Sequence, residues 1–127
     1  MRLLLDTNRL SDALAGSKQV IELLETAREI HVPVIALGEM RSGFLRGRRA
    51  AKNETRLQWF LSQDGVFTMG IDVPVSHRYA ELHHALRGLG QPVPTNDLWI
   101  AAMAIEHGLV LYTRDAHFAH VPRLACL

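Results

Sequence analysis

Four acids occupy informative places in this 127-residue sequence: Asp6, Glu39, Asp97 and Asp115. Asp6 closes the apolar run Leu3-Leu4-Leu5, and Asp115 lies three residues beyond the apolar Leu109–Tyr112. Glu39 falls in the first turns of a helical stretch, and Asp97 follows Thr95 and Asn96 at the start of another. Singly, each has an ordinary explanation. An acid in a first helical turn complements the helix dipole by about 0.3–1 kcal/mol. Asp6 suits an N-cap, Asp115 a turn and Glu39 a solvated helix face. Jointly, all four sit just past strand ends or near helix starts, so one rim can hold them. Two unit charges about 5 Å apart repel by about 3 kcal/mol at an effective dielectric near 20, so such a rim calls for a cation. A set of hard oxygen donors, with no His or Cys pattern among them, selects Mg²⁺ or Mn²⁺ over Zn²⁺. The chemistry that carboxylate-held ions of this kind support is phosphoryl transfer with water as nucleophile.

The elements that must carry these acids are legible from periodicity. Residues 2–5 read as a buried strand. Thr7 and Asn8 are good caps for a short helix to about Ala15, and Gly16-Ser17 breaks it. Lys18 to Glu29 reads as helix, residues 30–36 as a second strand made irregular by Pro33, and Leu37 to Leu45 as helix. Gly47 loosens the chain before a helix from about Arg49 to Leu61. Residues 66–71 form a third apolar stretch, and Val75 to Leu89 a helix ended by Gly88 and Gly90. Gln91-Pro92-Val93-Pro94 reads as a rigid loop. Thr95 and Asn96 cap a helix reaching His107, with Gly108 as its stop. Leu109 to Tyr112 is a fourth strand, and the tail at Arg123 to Cys126 offers a fifth. Strands alternating with helices predict an α/β fold with a mostly parallel sheet covered on both faces. Sites in such sheets form beyond the carboxyl ends of the strands, where these acids lie.

Composition narrows the class. The length suits one domain over 1–127, and 48% hydrophobic residues can fill a core. No run of about 20 apolar residues predicts a membrane span, and Asp6 comes too early for a signal peptide. A single cysteine, Cys126, suits a reducing, cytoplasmic setting. A net charge of +1 confines any nucleic-acid contact to a local patch.

Leu5-Asp6-Thr7-Asn8, Ala36-Leu37-Gly38-Glu39, Thr95 to Ala102 and Tyr112 to Phe118 resemble, in order and spacing, the motifs of PIN-domain ribonucleases. More narrowly, they resemble VapC toxins of prokaryotic toxin–antitoxin pairs, over nearly the whole chain. The resemblance implies an α/β/α sandwich that cleaves RNA with Mg²⁺ (or Mn²⁺), a homodimer, and inhibition by a small antitoxin. It implies Asp6, Glu39, Asp97 and Asp115 as the acidic quartet. Asp6, Asp97 and Asp115 would be the chief metal ligands, with Glu39 as ligand or water-positioning base. Thr7, Asn8, Asn96 and Thr113 would be the polar neighbours that orient them. Arg9 departs from the pattern, which has an apolar residue there. It faces either solvent or the acidic rim, where it would weaken metal binding.

Other features admit two readings. Arg41, Arg46, Arg48, Arg49, Lys52 and Arg56 make up six of the 14 Lys and Arg residues, interrupted only by Glu54. They form either a solvated face or a strip for RNA phosphates, with Arg46, Arg48 and Arg49 the candidates. His83-His84 and His117-x-x-His120 lack the partners of a zinc set, although His117 is near enough to Asp115 for substrate contact. Trp59 and Trp99 sit in amphipathic helices and read as core or interface packing residues rather than base-stacking ones. Two rivals stand beside the nuclease. A non-cleaving RNA- or partner-binding module would have no need of an intact quartet. A phosphotransfer domain needs a late lysine, and Lys52 is the last one.

Overall fold

Three leucines in succession cannot face water on either side, and Leu3, Leu4 and Leu5 are each fully buried in the strand β1 (Arg2–Leu5). The computed structural model describes residues 1–90 and 92–127. After β1 come α1 (Thr7–Leu14), α2 (Lys18–Thr26), β2 (Glu29–Pro33), α3 (Val34–Arg46), α4 (Ala50–Leu61) and β3 (Val66–Met69). They are followed by α5 (Val73–Leu89), α6 (Thr95–His107), β4 (Val110–Tyr112) and a 3₁₀ turn (Ala116–His120).

The sheet runs β3-β2-β1-β4, and every pairing in it is parallel. Side-chain alternation splits the core in two. Leu4 and Leu111 pack on one face with Leu82, Leu86, Ile100 and Met103 of α5 and α6. Leu3, Leu5 and Val32 pack on the other with Leu10, Val20, Met40 and Leu57 of α1 to α4. The fold is therefore a sandwich of helices, sheet and helices, as the sequence predicts. Connections through α1–α2 and α3–α4 carry the chain outward from β1 to β3. The α5–α6 connection then returns it across the other face to β4, on the far side of β1. Strand order thus reverses between β1 and β4, and ligands bind in the crevice beyond such a reversal.

Several boundaries differ from expectation. Helix α2 stops at Thr26, because Glu29 is already paired with Arg2 in the sheet. Strand β2 ends at Pro33, and residues 34–36 open α3 instead of extending the strand. Pro33 has no N–H to continue a ladder, and its φ of −72° leads into a helix start. Thr95 and Asn96 are the first helical residues of α6 and not its caps, since Pro94 holds the N-cap position without a side-chain bond. Asp6, rather than Thr7 or Asn8, caps α1. The tail pairs with β4 through a single bridge, Leu111 with Cys126, flanked by Leu111 N–H to Ala125 C=O and Leu127 N–H to Leu111 C=O, both 2.8 Å. The loop expected at residues 91–94 begins at Gln91, which lies outside the described residues.

Candidate active site

Asp6 follows β1 directly, and its backbone N–H donates to Tyr112 C=O at the end of β4 (3.0 Å). That bond fastens the two strand ends on either side of the reversal. The Asp6 side chain is 4% exposed and its oxygens are heavily engaged. Oδ1 accepts from Thr7 N–H (2.8 Å), capping α1; Oδ2 accepts from the Thr113 hydroxyl (2.7 Å) and from Asn8 Nδ2 (3.1 Å). Thr113 also accepts from Asp115 N–H (3.0 Å), and Asn8 Oδ1 accepts from Arg114 N–H (3.3 Å). The turn after β4 is thereby tied to the turn after β1, at the level of the acids.

Asp115 caps the 3₁₀ turn by accepting from His117 N–H (2.9 Å). Phe118, 2% exposed, roots that turn in the core. Asp97 projects from the first turn of α6, whose N-terminus lies at the same rim. His117 Nδ1 stands 3.1 Å from Asp115 Oδ1 and 3.3 Å from Asp97 Oδ2. Among the described residues, Asp97, Asp115 and His117 form one group whose ligand atoms all lie within 4.8 Å of one another. Burial first, and then the charge of Asp6, push the Asp97 carboxyl above its ordinary range; Asp115 adds to this, while His117 opposes it. Asp6 and Glu39 lie outside that group, and Asp6 bears on Asp97 through its charge. Glu39 is exposed, in the second turn of α3, and accepts from the Thr7 hydroxyl (3.1 Å).

A groove of about 620 Å³ leads away along α3, lined by Thr7, Gly38, Glu39, Ser42, Arg46 and Asn96. The basic run divides around it. Arg41 is bound to Glu54 (2.8 Å) and Arg56 donates to Leu14 C=O. Arg46, Arg48 and Arg49 are exposed and have no ion pair among the described residues. The Arg46 side chain folds back along α3 over Gly43.

Two residues, Arg9 and His117, differ from their sequence reading. Arg9 faces neither open solvent nor the rim. Its guanidinium lies 4.6 Å over the Tyr112 ring and pairs with Asp12 (3.3 Å), which also holds Arg114. Trp59 is 65% exposed and is not a core residue, whereas Trp99 is half-buried and stacks on Tyr79 at 3.9 Å. His117 stands between two of the acids, a position its two-residue spacing from Asp115 hints at but which only the 3₁₀ turn creates.

A family model described as the PIN domain matches residues 3–124. Ribonuclease VapC4 of Mycobacterium tuberculosis is 37% identical over 91 residues, covering 72% of this chain and 70% of its own. Ribonuclease VapC5 of the same organism is 32% identical, covering 84% and 78%. Among solved structures, the VapBC2 complex of Rickettsia felis bound to a DNA fragment from its promoter contains a chain that matches with a TM-score of 0.87 at 27% identity, covering 100% of this chain and 98% of that one.

Proposed function

The chain belongs to the PIN-domain family, and from that premise we propose that it is an endoribonuclease of the VapC type, the toxin of a toxin–antitoxin pair. The observation that carries the reading is the convergence of Asp97 and Asp115 at the β1/β4 reversal, where burial first and then the Asp6 charge raise the Asp97 carboxyl. Hard carboxylate oxygens that repel one another fit a divalent cation. Asp6, Asp97 and Asp115 would hold Mg²⁺ or Mn²⁺, and the ion, when bound, supplies the charge that activates water and offsets charge building on phosphate.

The chain's own residues supply the rest. Asn8, Thr113 and the Thr7 N–H fix the Asp6 carboxylate, so its orientation is set before substrate arrives. Glu39, exposed and steadied by Thr7, is the group able to position attacking water or to join the ligands. Asn96 lines the groove beside it. Water attacking phosphorus in line with the 3′-oxygen would break the P–O3′ bond, with the 3′-oxygen taking up a proton, and leave 5′-phosphate and 3′-hydroxyl ends. Arg46 lies two helical turns from Glu39 on α3, roughly 10 Å along the axis, within reach of a neighbouring phosphate. Arg48 and Arg49 extend that charge around the α3–α4 corner. This reading makes residues 1–127 one catalytic domain that acts on RNA in the cytoplasm as a homodimer until an antitoxin covers the acidic rim.

The test is a cleavage-site map on total RNA. Discrete new 5′ ends should appear with Mg²⁺ or Mn²⁺ and vanish with chelator. RNA that is bound but never cut under any divalent ion would make the chain a binding module on the same scaffold.

A further inference from the structure

Resting on the reading of this rim as a divalent-ion site, we propose that His117 is itself a ligand of the ion through Nδ1. The site then has mixed oxygen and nitrogen donors and favours Mn²⁺ over Mg²⁺. Neighbouring ligands around an octahedral ion with bonds of about 2.1 Å stand about 3.0 Å apart, and opposite ones about 4.2 Å. His117 Nδ1 lies 3.1 Å from Asp115 Oδ1 and 3.3 Å from Asp97 Oδ2, which is the spacing of adjacent ligands. All three atoms lie within 4.8 Å of one another, so small adjustments bring them to one centre.

The imidazole does not reach this place by chance rotation. Asp115 accepts from the backbone N–H of His117, so one prospective ligand fixes the backbone of the other. The residue that follows, Phe118, is itself pinned in the core. The His117 side chain is 54% exposed, and Nε2 has no hydrogen-bond partner among the described residues. Nδ1 is therefore the ring nitrogen turned toward the acids, and as a ligand it would offer its lone pair with the ring proton carried by Nε2. A zinc site would want further nitrogen or sulfur donors. One imidazole beside carboxylates, with room for water, suits Mn²⁺, and a nitrogen donor binds first-row transition ions better than it binds Mg²⁺.

Electron spin-echo spectroscopy of the full chain loaded with Mn²⁺ reads the ligand directly. The expected result is ¹⁴N modulation from one imidazole, lost in His117→Gln. That variant keeps the backbone N–H that Asp115 caps. Calorimetric titration should show Mn²⁺ affinity falling about tenfold in the variant and Mg²⁺ affinity falling less. Mn²⁺ bound to the wild type without ¹⁴N modulation, or modulation that survives in His117→Gln, would overturn the proposal and leave the carboxylate reading intact. Failure of the wild type to bind Mn²⁺ at all would overturn both.

Discussion

Asp6 shows how one carboxylate can serve the fold and the site together. Its Oδ1 caps α1, while its Oδ2 is held by Thr113 and Asn8. On the proposed reading a capping aspartate and a ligand aspartate are the same residue, which is why its sequence position alone could not choose between the two. Asp97 is different, because burial and the charges of Asp6 and Asp115 disfavour its ionised form. A carboxyl raised in the fold stabilises while protonated, below its unfolded pKa, and that contribution is lost as pH rises through the folded value. Asp97→Asn should therefore melt at or above the wild-type temperature in chelator at neutral pH, with the gain disappearing in acid. The same substitution should shrink the stabilisation by Mg²⁺, which for the wild type is about 2.7 kcal/mol at a hundred times Kd. An unchanged metal shift in the melting curves would argue against Asp97 as a ligand. The acids stood out in the sequence because each lies just past a strand end or near a helix start. His117 was legible only as a neighbour of Asp115, because its place between two acids depends on a 3₁₀ turn that no periodicity announces. Arg9 was equally hidden, since its partners Asp12 and Tyr112 come from two different elements.

Among the elements, apolar runs and helical periods revealed every strand and helix of the sandwich. What they did not reveal were junctions ruled by proline, such as the start of α3 after Pro33, and packing that depends on a neighbour, such as the open flank that exposes Trp59. The register of β1 on β2 is held at its start by Arg2, which donates to Glu29 (2.7 Å) in a pair joined by His31. Arg2 first and His31 second lower the Glu29 carboxyl from 4.5 to about 2. A lowered carboxyl stabilises above its unfolded pKa, and the effect is lost as pH falls through the folded value. Glu29→Gln should accordingly melt below the wild type at pH 7, and the two melting curves should converge between pH 4.5 and about 2. A gap that persists at the acid end would assign the effect to shape rather than charge. At the α3–α4 corner, replacing Arg46, Arg48 and Arg49 together with alanine should weaken RNA binding and flatten the slope of log K against log[salt] by about 2–3 units. An unaltered slope would make these residues a solvated face only.

For the whole molecule, the topology explains why acids distant in sequence share one rim. Asp6 and Asp115 follow neighbouring parallel strands, and α6 runs back so that its first turn, with Asp97, meets Asp115 and His117. The same rim offers an antitoxin its simplest means of control. An arginine pairs with two carboxylate oxygens and stays charged, so a tail that places Arg or Lys among the acids would displace the ion and neutralise them together. Its apolar helix would lie in a groove partly walled by α3 and α4. Coupling between two ligands is reciprocal, so antitoxin affinity should fall as Mg²⁺ rises in a titration. An affinity indifferent to Mg²⁺ would mean that inhibition works by blocking RNA instead. The claim beneath all of this is that the carboxylates at the β1/β4 reversal cut RNA. Its most direct test is the single-turnover cleavage rate of one mapped RNA by wild type and Asp97→Asn with Mn²⁺, with RNA affinity measured alongside. The account predicts 5′-phosphate products from the wild type, and a rate at least about a hundredfold lower for the variant with affinity nearly unchanged. Equal rates for the two proteins would contradict it.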